Sequence, residues 1–172
     1  MSLLSRLFGP KTDDRAPVRP LWHRVVEIAR EPEWYAAGGV ADTVAGRFDC
    51  ITLVLSVVMV RMEHSAELSL PLARLAELFV EDMDGQLRES GVGDMVVGKH
   101  IGRLMSTLGG RIGAYRAGLG AQDTAVLADA VRRNVSLVAE ARADIVASRA
   151  RGLARSLAAL DDAALLAGKI TR

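Results

Sequence analysis

The chain has little that would hold a fold together from outside its own core. Its single cysteine, Cys50, excludes an internal disulfide and fits a reducing compartment. Its apolar setting makes it a buried small side chain rather than a reactive thiol. Aromatic residues make up only 4% of the sequence and there are five prolines, so Leu, Val, Ile and Ala must do the packing. With a hydrophobic share of 50%, the composition is not that of a disordered chain. Long apolar runs are also missing. The longest, Ile51 to Val60, is interrupted by Ser56 and bounded by Asp49 and Arg61, which is about half of the ~20 residues a bilayer crossing takes. It reads as a buried helix. Charge of one sign is not in excess either: the net charge is +1, with 11 basic against 15 acidic side chains over residues 1–100 and 11 against 6 over residues 101–172. No generic nucleic-acid footprint emerges. The N-terminus, Met1 to Lys11, has neither a secretory apolar core nor the length and arginine content of an organellar transit peptide. It reads as a frayed terminus, or as a short peg whose Arg6 and Lys11 meet anionic headgroups.

What is present is helical periodicity. A length of 172 residues suits one domain with a real core. Residues 1–20, with Pro10, Pro17 and Pro20 among charges, are expected to form a flexible leader. Residues 21–172 are expected to form one domain, an all-α orthogonal helical bundle of about seven or eight helices. Leu21, Trp22, Val25, Val26, Ile28 and Ala29 have helical spacing, and Pro32 ends that helix and opens a short one holding Trp34 and Tyr35. Gly38-Gly39 closes it. Asp42 or Thr43 caps a mostly buried helix from about Val44 to Ser65. Ser69 starts another, with Leu72, Leu75, Ala76, Phe79, Met83 and Leu87 on one face, ending near Glu89. Ser90 to Gly93 is a turn, and Asp94 caps the next helix. Asp123-Thr124 opens a helix to about Asn134, a long helix follows to about Leu160, and Asp161 starts a short one stopped by Gly168.

Signals of catalysis or cofactor binding fail on inspection. Gly93 to His100 nearly matches a phosphate-binding loop, but His100 stands where the magnesium-holding hydroxyl belongs and an amphipathic helix, not a buried strand, precedes it. Asp82-Met83-Asp84-Gly85 resembles the start of a calcium loop, yet alignment on Gly85 puts Val80 and Gly91 at the two end ligands. His23, His64 and His100 fall on three different helices with no histidine four residues away, so neither a metal nor a haem set is visible. No nucleophile context stands out. The expectation is a non-enzymatic protein without a cofactor.

Two features depart from what folding alone selects. In the helix after Asp94, Val97, Ile101, Leu104, Leu108, Ile112 and Tyr115 share one face, while Gly98, Gly102, Ser106, Gly109 and Gly113 fill a neighbouring arc. Gly110 adds a further glycine. Interior glycines each cost a helix about 1 kcal/mol relative to alanine, so the stripe needs a reason. The favoured one is backbone-to-backbone packing by another helix of the domain, such as the one holding Ile51 to Val60. The other is a groove for a partner's helix, or a bend. The second feature is an acidic segment, Glu81, Asp82, Asp84, Glu89 and Asp94 against Arg88 and Lys99. Such a run ordinarily solvates a helix face, but its place in the C-terminal half of its helix, where the macrodipole disfavours it, suggests a fixed partner. That partner is either Arg88 and the basic second half or another protein.

The order and spacing of several motifs resemble the ubiquinol-cytochrome c chaperone family, assembly factors of the cytochrome bc1 complex. They are Ala29-Arg30-Glu31-Pro32-Glu33-Trp34-Tyr35, Asp42-Thr43-Val44-Ala45-Gly46-Arg47-Phe48-Asp49, Glu81-Asp82-Met83-Asp84 with Leu87 to Asp94, Val97-Gly98-Lys99, and Gly110-Arg111 with Tyr115. The resemblance covers about residues 21–135. Gly85-Gln86 and Ser90 depart from the family pattern. The resemblance implies a helical bacterial chaperone, cytoplasmic and peripheral on the inner membrane, whose partners are newly made cytochrome b or other bc1 subunits and also the ribosome and the membrane surface. Trp34, Asp82, Asp84, Arg88, Glu89, Gly91, Gly93, Asp94, Gly98, Lys99, Arg111 and Tyr115 are expected to form one partner-binding surface. Two other classes stay open. A haem or quinone carrier would use His64 or His100 and an apolar pocket. A ribosome- or membrane-tethering adaptor would use Arg132, Arg133, Arg142, Arg149, Arg151 and Arg155.

Overall fold

The amphipathic stripe of the first helix, α1 (Arg19–Ala29), goes wholly inward: Leu21, Trp22, Val25, Ile28 and Ala29 are buried. The computed structural model describes residues 13–89, 97–138 and 143–171, with side chains left out over 86–89 and 97–101. Pro32 occupies the first turn of α2 (Pro32–Tyr35), as its missing N–H and fixed φ favour. The side chain of Thr43 accepts from the Gly46 N–H at 3.1 Å and starts α3 (Val44–Met62). Then come α4 (Ser69–Glu89), α5 (Val97–Gly120), α6 (Thr124–Asn134), α7 (Ala143–Ala158) and α8 (Asp162–Leu166). Asp123 and Asp161 cap α6 and α8 through their carboxylates. The fold is all-α, as the periodicity predicts. Among the described residues none of these helices is long and apolar enough to cross a membrane.

The centre of the bundle is α3. From Asp49 to Val60 every residue is buried, and α1, α5 and α7 pack around it. Trp22 meets Phe79 edge-on at 6.2 Å, and Phe48 lies 6.1 Å from Phe79, so α1, α3 and α4 share one aromatic contact. The chain enters α1 through a 3-10 turn at Ala16–Val18 in which Val18 is 2% exposed. The leader boundary expected after residue 20 therefore falls within the first turn of α1.

One expectation is corrected. The long helix predicted to follow the one ending at Asn134 does not begin there: Val135 is extended, and an isolated antiparallel bridge pairs Val40 with Leu137. The Ala41 N–H donates to Ser136 O at 2.8 Å and the Val138 N–H to Gly39 O at 2.9 Å. These bonds to a distant segment, with the β-branched Val135, outcompete the helical ladder. The helix resumes as α7 at Ala143.

Close packing does demand glycine, at places the stripe in α5 did not indicate. A Cβ on Gly118 would lie 2.7 Å from Leu127 Cα, where α5 and α6 meet, and one on Gly168, whose φ is +68, would lie 2.8 Å from Pro20 O. At Gly109 an added Cβ meets nothing within 4 Å. Gly118→Ala is therefore expected to lower unfolding stability by about 1–3 kcal/mol through overpacking, whereas Gly109→Ala is expected to raise it by about 0.5–1 kcal/mol. Urea denaturation of the two variants beside the parent checks both signs.

Candidate interaction site

Asp49 stands in the first third of the most apolar helix, and a carboxylate there must be paired to stay charged. It is 6% exposed. Arg111, from α5, donates to its Oδ1 at 2.6 Å, and Ser136 donates to Oδ2 from its backbone N–H at 2.9 Å and its hydroxyl at 2.7 Å. The Arg111 guanidinium also lies 5.5 Å from the Phe48 ring centroid. One carboxylate thus ties α3, α5 and the extended segment between α6 and α7. Tyr115, one turn beyond Arg111, is fully buried. Burial pushes its hydroxyl up, and that hydroxyl has no hydrogen-bond partner.

This geometry corrects the expected single surface. Tyr115 and Trp34 are both 0% exposed, so neither touches a partner on the folded protein. The Trp34 indole donates to Ile28 O at 2.7 Å, and the Arg149 guanidinium lies 4.9 Å from its ring centroid while bonding Glu31 at 2.6 Å. The Glu31-Pro32-Glu33-Trp34 motif is therefore a joint between α2 and α7. Arg111 faces Asp49, not the acidic segment.

That segment finds internal partners at its start. Glu81 accepts from Arg15 at 2.6 Å and Asp82 from the Trp22 indole at 2.8 Å. The fixed partner suggested by the misplaced charges is, for these two, Arg15 ahead of α1 and Trp22 within it, and not the basic second half. Asp84 is half-buried in α4. The same helix runs through Asp82-Met83-Asp84-Gly85, which is not a calcium loop. Arg88 and Glu89 end α4, and Gly98 and Lys99 sit in the first turn of α5; their side-chain surroundings lie outside the described residues. Gly91, Gly93 and Asp94 lie outside them altogether. Among the described residues no His, Cys, Asp and Glu cluster could hold a metal ion.

The glycine stripe faces outward. The inner face of α5 buries Leu108 and Tyr115 and half-buries Leu104 and Ile112. Gly102, Ser106, Gly109 and Gly110 are exposed, and at Gly102, Gly109, Gly110 and Gly113 an added Cβ meets nothing within 4 Å. Internal packing against the stripe, the favoured expectation, is overturned at these four positions: α3 packs on α5, but not there.

Sequence reasoning passed over Asp49, Ser136, Trp22 and Arg149 as members of specific pairs. Asp49 carried a signal, a lone charge beside a long apolar run. Ser136 carried none, because it lay within an expected helix.

These features define a helical protein held by a buried ion cluster and presenting one open helix face, with no assembled catalytic group among the described residues. A family model described as ubiquinol-cytochrome C chaperone matches residues 36–172. The crystal structure of the Cbp3 homolog from Brucella abortus superposes with a TM-score of 0.80 at 32% identity, covering 98% of this chain and 96% of that one. No curated protein matches. The chain belongs to the ubiquinol-cytochrome c chaperone family. The match extends through residues 136–172, beyond the stretch where the motifs alone carried the resemblance, while Ala29 to Tyr35 precede it.

Breaking the ion cluster by Arg111→Met leaves Asp49 buried and uncompensated except by Ser136, and is expected to cost about 3–5 kcal/mol. Tyr115→Phe removes an unbonded hydroxyl and is expected to leave stability unchanged or slightly higher. Denaturant titrations of both variants separate a structural Arg111 from a surface one: an Arg111→Met protein as stable as the parent would remove the clamp.

Proposed function

We propose that this chain is a non-enzymatic assembly chaperone of the cytochrome bc1 complex that receives newly made cytochrome b at the cytoplasmic membrane surface. In this reading it holds a client helix against the outward face of α5. Family membership supports the assembly role. The observation that carries the contact is the set of four interior glycines in α5 with open space at their Cβ positions. Together they forgo about 3–4 kcal/mol of helix stability with no packing inside the chain in return. Small residues at this spacing let a second helix come close, the way membrane helices meet one another. Met105, 43% exposed beside them, adds an adaptable apolar contact. The acidic segment at the end of α4 keeps such a surface soluble.

A ribosome or membrane tether through the arginines of the second half draws less support. Arg149 is bonded to Glu31, Arg151 donates to Ala121 O and Gly118 O at 3.1 Å each, and Arg132 pairs with Asp129. Three of the six arginines assigned to an anionic partner are thus engaged within the fold.

The double variant Gly109→Leu, Gly113→Leu tests the contact, because it fills the open face without a clash in the chain. Its unfolding stability is expected to rise by about 1–2 kcal/mol, while cytochrome b recovered with the tagged protein and the cellular content of bc1 complex fall. Normal bc1 content in cells carrying the variant would exclude this face as the client contact. Normal bc1 content in cells lacking the protein would exclude the assembly role itself.

A further inference from the structure

Where the ends of α3, α5 and α7 close on α8, the fold leaves a cavity of about 420 Å³, within the size range of small-molecule sites. Its walls are apolar, formed by Val57, Val60, Leu119, Ala154 and Ala158. The space exists because α7 presents two alanines one turn apart. Arg61, His64, Ser65 and Asp162 complete the lining.

The charged pair of this lining is already committed. Arg61 donates to Leu157 O at 3.2 Å, to Leu160 O at 2.8 Å and to Asp162 Oδ1 at 2.9 Å, closing the C-terminal end of α7 as cations do at helix ends. Hydrogen bonds from Ser65 and then Arg61 hold the Asp162 carboxyl below the usual carboxylate range. Guanidinium and carboxylate thus neutralise each other, and the cavity has no net charge to draw an ion. His64 is different. Its Nδ1 lies 2.7 Å from Val60 O, and a carbonyl oxygen only accepts, so Nδ1 carries a proton and Nε2 is the ring nitrogen left to accept from a ligand. With the Asp162 carboxylate already taking hydrogen bonds from Ser65 and Arg61, the apolar cavity leaves the His64 ring to select a neutral ligand with one donor.

We propose that this cavity binds a small, uncharged, largely apolar molecule that donates a hydroxyl hydrogen bond to His64, with an alkylated phenol-type ring as the matching chemistry. The site is separate from the outward face of α5, and its test needs only the purified full-length chain, so the two readings fail independently. The probes are para-propylphenol, para-propylanisole, which keeps the oxygen but cannot donate, and propylbenzene, titrated calorimetrically. The phenol is expected to bind saturably, about tenfold tighter than the other two, the worth of one hydrogen bond. His64→Phe is expected to bring the phenol down to the level of propylbenzene. Ala154→Leu fills the cavity and is expected to abolish binding of all three. Ala158→Leu, at a more exposed position, serves the same purpose if the first variant does not fold, with circular dichroism as the check. No saturable binding of the phenol, equal binding of the phenol and anisole, a preference that survives His64→Phe, or binding that survives the folded leucine variant would each overturn the proposal.

Discussion

Everything in this fold answers to one helix that is buried on all sides. A helix apolar around its whole circumference belongs either in a membrane or in the middle of a bundle, and α3, broken by Asp49, Thr52 and Ser56, takes the second course. Its polar groups are satisfied without water. Thr52 donates to Phe48 O at 2.5 Å and Ser56 to Thr52 O at 2.6 Å, within the helix itself. Asp49 has no such local solution and draws Arg111 and Ser136 from far along the chain. The other helices are arranged by the need to cover α3, and their register is pinned by the need to pair Asp49. A buried ion pair is poor evidence of net stability, because desolvation offsets much of its attraction. What it enforces is that α5 and the 135–138 segment meet α3 in one arrangement, since any other leaves a charge in the core.

The legible parts of the fold are those decided within a few residues. Pro32 at the start of α2, Thr43, Asp123 and Asp161 as caps, and the inward stripes of α1 and α4 all follow from local chemistry. The end of α6 at Asn134 was legible, but the extended segment after it was not, because its cause is remote: Ser136 bonds with Asp49, 87 residues away in sequence. Trp34 and Tyr115 were misplaced for a related reason. Large aromatic residues in a motif look alike whether they make an interface or a joint, and only burial distinguishes them. The acidic segment was legible as anomalous but not in its resolution, since the partners of Glu81 and Asp82 are Arg15 and Trp22, more than fifty residues earlier.

The arginines show how the charge asymmetry along the chain is used. Arg15, Arg61, Arg111, Arg116 and Arg149 each reach a carboxylate more than fifty residues away, and Arg24, Arg61 and Arg151 bond carbonyls at element ends. The guanidinium fork suits both tasks better than an ammonium. The partially exposed pairs among them contribute little individually, but they link elements that share little apolar contact, such as α2 with α7 and the start of the chain with α4. Part of the arginine excess in the second half is therefore used within the fold.

The two faces of α5 divide its duties. The inner one, with Leu108, Tyr115 and the clamped Arg111, holds the helix on α3, so the helix does not depend on its own propensity. Freed from that dependence, the outer face carries residues no isolated helix would tolerate. Glycine at the contact with α6 is required by distance, since Gly118 has Leu127 against it, whereas glycine on the outer face is required by nothing among the described residues. In the reading proposed above, the outer stripe is kept small for a helix that comes from outside the chain.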